Sequence, residues 1–190
     1  MDTDWNKILF SDECSIRISG SVQKRWTKRD KTVIQRTVKY PLKMNIWGYF
    51  IDNNIGSIDI FSENMDSIKY IEILENNILP IIENTDENLI FQHDNDPKHT
   101  AKITKAFLKN NNISVLEWPA CSPDLNPIEN VWNLLKIKIH KRKPKDKDEF
   151  IDIITEEWLK FDSNVLKSLI NSMPKRIQQV IKNNGDIIMY

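Results

Sequence analysis

The sequence has very few cysteines and no long apolar run, and both shortages exclude classes of protein. Only Cys14 and Cys121 are present among 190 residues, and they lie far apart. A disulfide framework or a zinc site is therefore not expected, and a reduced, intracellular chain is favoured. No apolar stretch approaches the ~18–20 residues of a membrane span, and the first residues lack the basic start of a signal peptide. We therefore expect no membrane partner.

Net charge is also lacking, because 27 basic residues balance 27 acidic ones. The whole-chain charge therefore does not indicate a nucleic-acid-binding protein, and only local clusters could do so. What the chain does have is an ordinary globular composition, with 40% hydrophobic residues and six tryptophans. A length of 190 residues predicts one domain, or one domain with a helical extension, and is enough for a substantial core.

The hydrophobic pattern predicts an α/β fold with a mixed five-stranded sheet flanked by helices. Strands are predicted at residues 7–13, 43–51, 55–61, 89–94 and 113–118. Helices are predicted over 67–80 and 101–109, and a third begins at Asn126-Pro127. From Asp148 onward the apolar spacing is helical throughout, which predicts covering helices at the carboxyl end.

Two local basic clusters are candidates for contact with a phosphate backbone. The first lies in the irregular segment 17–42, where short strands at 16–18 and 33–35 could form a hairpin. The second ends the helix that begins near Asn126. The candidate DNA-binding residues are Lys24, Arg25, Lys28 and Arg29 in the first cluster and Lys141, Arg142 and Lys143 in the second. The first cluster could equally be a solvated hairpin. The second could also be an import signal, and a solvated face is its commoner explanation.

The most informative stretch is Phe91 to Thr100, where an apolar strand runs into acidic, amide and imidazole side chains. Polar residues that follow a strand and precede a helix are typical of α/β binding sites. Asp94 is therefore our candidate for the central carboxylate of a metal site. Hard divalent ions such as Mg²⁺ prefer carboxylate oxygens and share their other positions with water and phosphate.

Two further carboxylates could join Asp94. Asp12 follows the first strand, and it would reach the same sheet edge if strands one and four are parallel neighbours; alternatively, it solvates a strand end. Glu129 lies in the first turn of the helix that begins near Asn126. It could be a metal ligand, or the acidic arm of a capping box that reaches back to the Asn126 amide.

The segments around these carboxylates, taken together, resemble the catalytic domain of mariner-superfamily transposases. Thirty-four residues separate Asp94 from Glu129, a gap typical of the family branch whose triad is Asp, Asp and Glu. The resemblance is carried by Phe10-Ser11-Asp12-Glu13, Asn45-Ile46-Trp47-Gly48, Tyr70-Ile71-Glu72-Ile73-Leu74, Gln92-His93-Asp94-Asn95-Asp96-Pro97-Lys98-His99-Thr100, Trp118-Pro119, Ser122-Pro123-Asp124-Leu125-Asn126-Pro127-Ile128-Glu129-Asn130-Val131-Trp132, Ser172-Met173-Pro174-Lys175-Arg176, Val180-Ile181 and Gly185.

This resemblance implies a ribonuclease H-like fold and DNA cleavage and strand transfer at transposon ends, dependent on two Mg²⁺ or Mn²⁺ ions. By position, Asp12, Asp94 and Glu129 become the catalytic metal ligands. Asn95 and His99 become site-shaping neighbours, and Asp96 and Asp124 are not triad members. The resemblance also implies DNA as partner, a homodimer on DNA, no small-molecule substrate and a nuclear location.

For the whole chain, the resemblance implies one catalytic domain over residues 1–190. It contains a basic insertion at 17–42, which touches DNA and a partner subunit in the family, and carboxyl-terminal helices at 146–190. Family members begin with two helix-turn-helix modules, and we expect these to be absent because Met1 lies just before strand one. The chain would then be a fragment, an isolated catalytic core or a relic. A non-catalytic DNA-binding or dimerisation remnant is the alternative function, and an inert remnant is a third.

Overall fold

The computed structural model describes residues 3–18, 42–85, 88–186 and 188. The strands are β1 (Ile8–Ile18), β2 (Leu42–Ile51), β3 (Asn54–Phe61) and β4 (Ile90–Gln92). The helices are α1 (Ser67–Asn77), α2 (Leu79–Glu83), α3 (Pro97–Thr100), α4 (Lys102–Asn110), α5 (Ile128–Arg142), α6 (Lys147–Leu159), α7 (Ser163–Asn171) and α8 (Met173–Lys182). A 3₁₀ turn (Trp5–Lys7) precedes β1.

The strands form a mixed sheet in the order β3-β2-β1-β4. β1 pairs antiparallel with β2 and parallel with β4, and Phe10 is opposite Gln92. The condition stated above, that the first and fourth strands are parallel neighbours, is therefore met. Because Asp12 and Asp94 each follow this pair by two residues, the parallel register carries both to the same edge of the sheet.

Two details of the predicted sheet are wrong. Among the described residues the sheet has four strands, since the predicted fifth strand forms only a parallel bridge between Val115 and Phe91. Residues 16–18 belong to β1, because the alternation of buried and exposed side chains continues through Cys14 and Ile16. The other predicted hairpin strand, at 33–35, lies outside the described residues.

Helices cover both faces of the sheet, and each face has its own core. Ile8, Phe10 and Ile16 pack with α5–α8 on one face, whereas Leu9 and Phe91 pack with α1 and α4 on the other. The alternation of side chains along β1 therefore places Asp12 towards α5 and Glu13 towards α3 and α4. No helix among the described residues has the length and apolar character needed to cross a bilayer.

The position of α5 on the sheet is determined by tryptophans. Trp132 of α5 stacks on Trp158 of α6 with ring centroids 5.0 Å apart, and a Cβ added at Gly48 would lie 3.0–3.1 Å from both rings. The Trp158 indole also donates to the Gly56 carbonyl at 2.7 Å. A glycine on β2 thus lets α5 approach the sheet closely. The predicted covering helices are present as α6, α7 and α8.

Candidate active site

Three segments that are distant in sequence meet at one end of the sheet. Asp12 lies on β1, Asp94 lies in the loop after β4, and Glu129 lies in the first turn of α5. All three line one cavity of about 380 Å³. Its wall is completed by the loop 118–123, which includes Trp118 and Pro119. The structure therefore brings the three carboxylates predicted from the sequence to one site.

Ser11 ties these three segments together. Its buried hydroxyl donates to the Gln92 carbonyl at 2.8 Å, two residues before Asp94. Its own carbonyl accepts from the Asn126 side-chain amide at 3.2 Å, three residues before Glu129. Because these bonds are buried, each is costly to leave unmade. In the sequence, Ser11 is only one residue of the Phe10-Ser11-Asp12-Glu13 motif, and nothing in its neighbours indicates this role.

The capping-box alternative for Glu129 is not observed. The Asn126 amide, which Glu129 would have to reach, donates instead to the Pro123 carbonyl at 3.1 Å. The Asn126 side-chain oxygen accepts from the Ile128 amide at 3.3 Å, so Asn126 itself satisfies a free N–H at the start of α5. The Glu129 carboxylate remains available to the cavity.

Asp12 and Glu129 line the same cavity, and their surroundings disfavour the charged form of each carboxyl. Burial raises the pKa of Asp12 well above its usual value, and repulsion by Glu13 and Glu129 adds to the rise. Burial also raises the pKa of Glu129, against the opposing effect of Lys136. Two half-buried carboxylates that line one cavity are the oxygen donors that suit a hard divalent ion, whose charge would offset this repulsion.

The carboxylates line the cavity without closing around one point. Among the described residues, no three His, Cys, Asp or Glu side chains form a cluster that could by itself surround an ion. The Asp94 side chain is 52% exposed and faces open solvent. This open donor set fits Mg²⁺ or Mn²⁺, which take few carboxylates and fill their other positions with water and phosphate.

Asp94 is held by His99. The His99 Nδ1 lies 2.6 Å from Asp94 Oδ1, and the ring's Nε2 lies 3.1 Å from Glu13 Oε1. The hydrogen bond from His99 is the main cause that lowers the pKa of Asp94 to about 2. Burial lowers the pKa of His99, but its bonds to Asp94 and Glu13 outweigh burial and raise the pKa to about 9. Asp94 is therefore an oriented anion.

Glu13 was not predicted as a site residue, yet it anchors this arrangement from the opposite side of β1. It accepts from His99 and also pairs with Lys98 at 3.2 Å, while Lys98 pairs with Asp96 at 3.0 Å. The ring of Tyr70 lies 4.2 Å from that of His99, which is only 2% exposed. The signal in the sequence was the acidic pair Asp12-Glu13, whose members point to opposite faces of the strand.

The neighbouring polar residues have separate structural tasks. Asp96 caps α3 by accepting from the Lys98 amide, and Asp124 accepts from the Ile188 amide. Asn95 donates to the Trp118 carbonyl at 2.8 Å and so joins the Asp94 loop to the cavity wall. Burial lowers the pKa of His93 to about 3, and its ring bonds to Tyr70.

The structure describes only some of the predicted DNA-binding residues. Lys24, Arg25, Lys28 and Arg29 lie outside the described residues. Lys141, Arg142 and Lys143 lie at the far end of α5, about 20 Å along the helix from Glu129 at ~1.5 Å per residue. Arg142 also pairs with Glu156 at 2.6 Å and Glu157 at 3.1 Å, so its charge is already balanced.

Comparisons with known proteins agree with this architecture. The model of the DDE superfamily endonuclease family matches residues 7–151. The Tcb2 transposable-element transposase of Caenorhabditis briggsae is 31% identical over 190 residues, covering 96% of this chain and 70% of the relative. The Tc1 transposase of Caenorhabditis elegans is 30% identical over 196 residues, covering 98% of this chain and 71% of the relative.

Solved structures share the fold. The catalytic domain of Mos1 mariner transposase matches with a TM-score of 0.75 and 20% identity, covering 99% of this chain and 87% of that one. The Mos1 paired end complex with Mn matches with a TM-score of 0.85 and 19% identity. There this chain, 99% covered, spans 58% of the length of the Mos1 chain. The predicted ribonuclease H-like fold is confirmed by these matches.

Proposed function

Because the chain belongs to the DDE superfamily endonucleases and has the catalytic domain of a transposase, we propose that Asp12, Asp94 and Glu129 are its catalytic metal ligands. The observation that supports this assignment most strongly is that the three carboxylates line one cavity. Ser11 and Asn126 bind the segments that carry them, and His99 orients Asp94. The reaction is cleavage of DNA at transposon ends followed by strand transfer.

The enzyme is a metal-dependent endonuclease, and the number of ions is part of the proposal: two Mg²⁺ or Mn²⁺ ions. When bound, such a pair of ions stabilises charge on the attacking and leaving oxygens of an in-line phosphoryl transfer. The chain's own residues prepare the site for this chemistry. Asp12 and Glu129 provide half-buried oxygen donors, and Asp94 provides an exposed one that is already ionised.

The site-shaping roles of Asn95 and His99 are also part of the proposal. His99 restricts the Asp94 carboxylate to one orientation, and fixed donors of this kind avoid the cost of reorganisation during reaction. Asn95 holds the loop after β4 against Trp118. The Trp118-Pro119 wall then shields one side of the cavity from water.

The partner and location are proposed from the family. DNA is the substrate, a homodimer on DNA is the working assembly, and the nucleus is the place of action. Segment 17–42, with Lys24, Arg25, Lys28 and Arg29, is proposed to contact DNA, as is the run Lys141 to Lys143. Mos1 transposase forms a paired-end complex with its left transposon end, which supports the DNA assignment.

Removal of divalent ions tests the proposed reaction. We expect the protein to nick supercoiled plasmid in Mn²⁺ or Mg²⁺ and to lose this activity in EDTA, because the carboxylates alone cannot stabilise the charge that develops on phosphate. Gel analysis of the plasmid forms measures the rate. Salt-sensitive plasmid binding with no nicking in either metal would instead support a non-catalytic DNA-binding remnant.

Replacement of Glu13 by glutamine tests how Asp94 is held. Glu13→Gln keeps the side chain's size but removes the charge that His99 and Lys98 share. Changes behind a metal ligand typically cost about 10–100-fold in metal affinity or activity, so we expect a higher Mn²⁺ concentration for half-maximal nicking. Titration of nicking rate against Mn²⁺ measures this.

The exposed Glu75 of α1 offers a control with the same chemical change. Glu75→Gln should show the Mn²⁺ dependence of the wild type. If Glu13→Gln also does so, then Glu13 has no part in positioning Asp94.

A further inference from the structure

A second cavity adjoins the carboxylate cavity. It has a volume of about 500 Å³ and lies between α4 and the segment 113–118. Asn95 and Trp118 line both cavities, and the hydrogen bond between them forms the ridge that separates the two. A molecule that lies in the second cavity, which we call the α4 groove, can therefore extend over this ridge towards Asp94.

The α4 groove carries positive charge that its surroundings do not balance. Lys105 and Lys109 lie one turn apart on α4 and line the groove, and Lys102 continues the same face of the helix. Within the described part of the chain none of these three lysines forms an ion pair, whereas the nearby Lys98 is paired with both Glu13 and Asp96. Of the described residues that line the groove, Glu117 is the only acidic one.

Apolar side chains face the same groove. Trp118 is partly buried, with its ring edge-on to Phe10 at a centroid distance of 6.4 Å, and it lines the groove at the ridge. Val115 is 38% exposed in the groove wall. The segment 113–118 pairs with β4 through a single bridge at Val115. It therefore leaves apolar surface open beside the lysines. Cationic side chains beside an aromatic platform are the usual means of binding a single nucleic-acid strand.

We propose that the α4 groove binds the single DNA strand that adjoins the phosphodiester at the carboxylate cavity. Phosphates lie against Lys105 and Lys109, and a base lies against Trp118. The proposal rests on the proposed function, since it names the path of that function's substrate. The cavity has the size of a pocket for one small molecule, typically ~300–1,000 Å³, and so holds a nucleotide or two of one strand and not a duplex.

The location of the groove also favours this path over the basic end of α5. Lys105 and Lys109 share a cavity with Asn95 and His99, which contact the Asp94 loop. The run Lys141 to Lys143 is separated from Glu129 by the length of α5, and its arginine is paired with two glutamates.

Binding of a fluorescein-labelled oligothymidylate of about 12 nucleotides to the full chain tests the proposal. Fluorescence anisotropy in EDTA, from about 50 to 200 mM salt, keeps binding separate from cleavage. For Lys105→Gln/Lys109→Gln we expect Kd to rise about tenfold. The slope of log K against log salt should become shallower by about 1.4, since each phosphate contact on a single strand contributes about 0.7.

Two further variants separate the contributions of the groove lysines, of lysine charge elsewhere on the surface and of stacking on Trp118. Lys167→Gln/Lys182→Gln makes the same change at exposed lysines of α7 and α8 and should bind like the wild type. Trp118→Leu should weaken binding while leaving the salt slope unchanged, because stacking releases no counterions. Circular dichroism confirms that each variant is folded.

If the Lys105→Gln/Lys109→Gln variant and the wild type have equal Kd and equal salt slope, the proposal that the α4 groove binds DNA is overturned. This holds even if the wild type nicks plasmid in Mn²⁺. Equal losses in the two lysine pairs would overturn it as well, because binding would then be diffuse. The wild type could instead bind the oligonucleotide through Lys105 and Lys109 and yet fail to nick plasmid in any metal. That result would overturn the proposed function and support DNA binding by the α4 groove.

Discussion

Asp94→Asn should reduce metal-dependent plasmid nicking about 10³-fold. Asparagine keeps the shape of the side chain and can still accept from His99 Nδ1 and the Asp96 amide, as Asp94 Oδ1 does at 2.6 and 3.0 Å. What it loses is the negative charge, which His99 otherwise maintains by lowering the pKa of Asp94 to about 2. Loss of a charged ligand removes several kcal/mol of transition-state stabilisation, and each 1.4 kcal/mol is about tenfold in rate.

The nicking rate is measured with supercoiled plasmid in Mn²⁺, beside Asp152→Asn. Asp152 is exposed on α6, so the same change there should leave the rate within about twofold of wild type. Nicking at equal rates by wild type and Asp94→Asn would mean that the activity belongs to a contaminant or that Asp94 has no catalytic role.

Arg176→Met should lower the free energy of unfolding by about 2–5 kcal/mol. Arg176 is 2% exposed on α8, and its guanidinium donates to the Asp124 carbonyl at 3.0 Å and to the Asn130 side-chain oxygen at 2.7 Å. Its Nε also donates to Ser172 at 2.9 Å. Methionine fills much of the volume but leaves these half-buried acceptors without their donor, and an unpaired group costs about 1–3 kcal/mol when it is fully buried.

Thermal unfolding measures this loss, and we expect Tm to fall by roughly 5–15 °C for a chain of this size. Lys175→Met is the matched control, because Lys175 is the exposed neighbour on the same helix. Since Arg176 holds the loop before α5 and the residue after Glu129, nicking by Arg176→Met should also fall at temperatures where the variant is folded. Unchanged Tm would show that the three acceptors find other donors.

The main elements could be predicted because their hydrophobic periods are clear. β2 and β3 were predicted to within one residue of their observed bounds, and the start of α1 at Ser67 was predicted correctly. The helix predicted over 67–80 is instead divided into α1 and α2 at Ile78. Periodicity alone does not detect that division, because Leu79 and the residues after it continue an apolar face.

The prediction of a fifth strand is wrong for a physical reason. The segment 113–118 has the composition of a strand, yet only Val115 forms a bridge, through bonds from the Phe91 amide to Ser114 and from the Leu116 amide to Phe91. β4 spans only Ile90–Gln92 and offers too few backbone groups for a longer ladder. Strand preference reflects the available neighbours as much as the segment itself.

At the site, the three carboxylates could be found from motif spacing, but the residues that position them could not. Glu13 binds His99 across 86 positions of sequence, and Ser11 binds Asn126 across 115. Such contacts depend on the register of β1 against β4 and on the position of α5 on the sheet, and only the folded structure shows these. A lone serine beside a motif carries no sequence pattern that would reveal its bonds, and the acidic pair Asp12-Glu13 does not indicate which residue Glu13 binds.

A crystal structure of the protein soaked in Mn²⁺, with anomalous scattering recorded, tests the central claim most directly. We expect two anomalous peaks in the carboxylate cavity, within about 2.0–2.3 Å of oxygens from Asp12, Asp94 and Glu129. Peaks elsewhere with this cavity empty at saturating Mn²⁺, or a bound ion that Glu129 and Asp94 do not contact, would contradict the account.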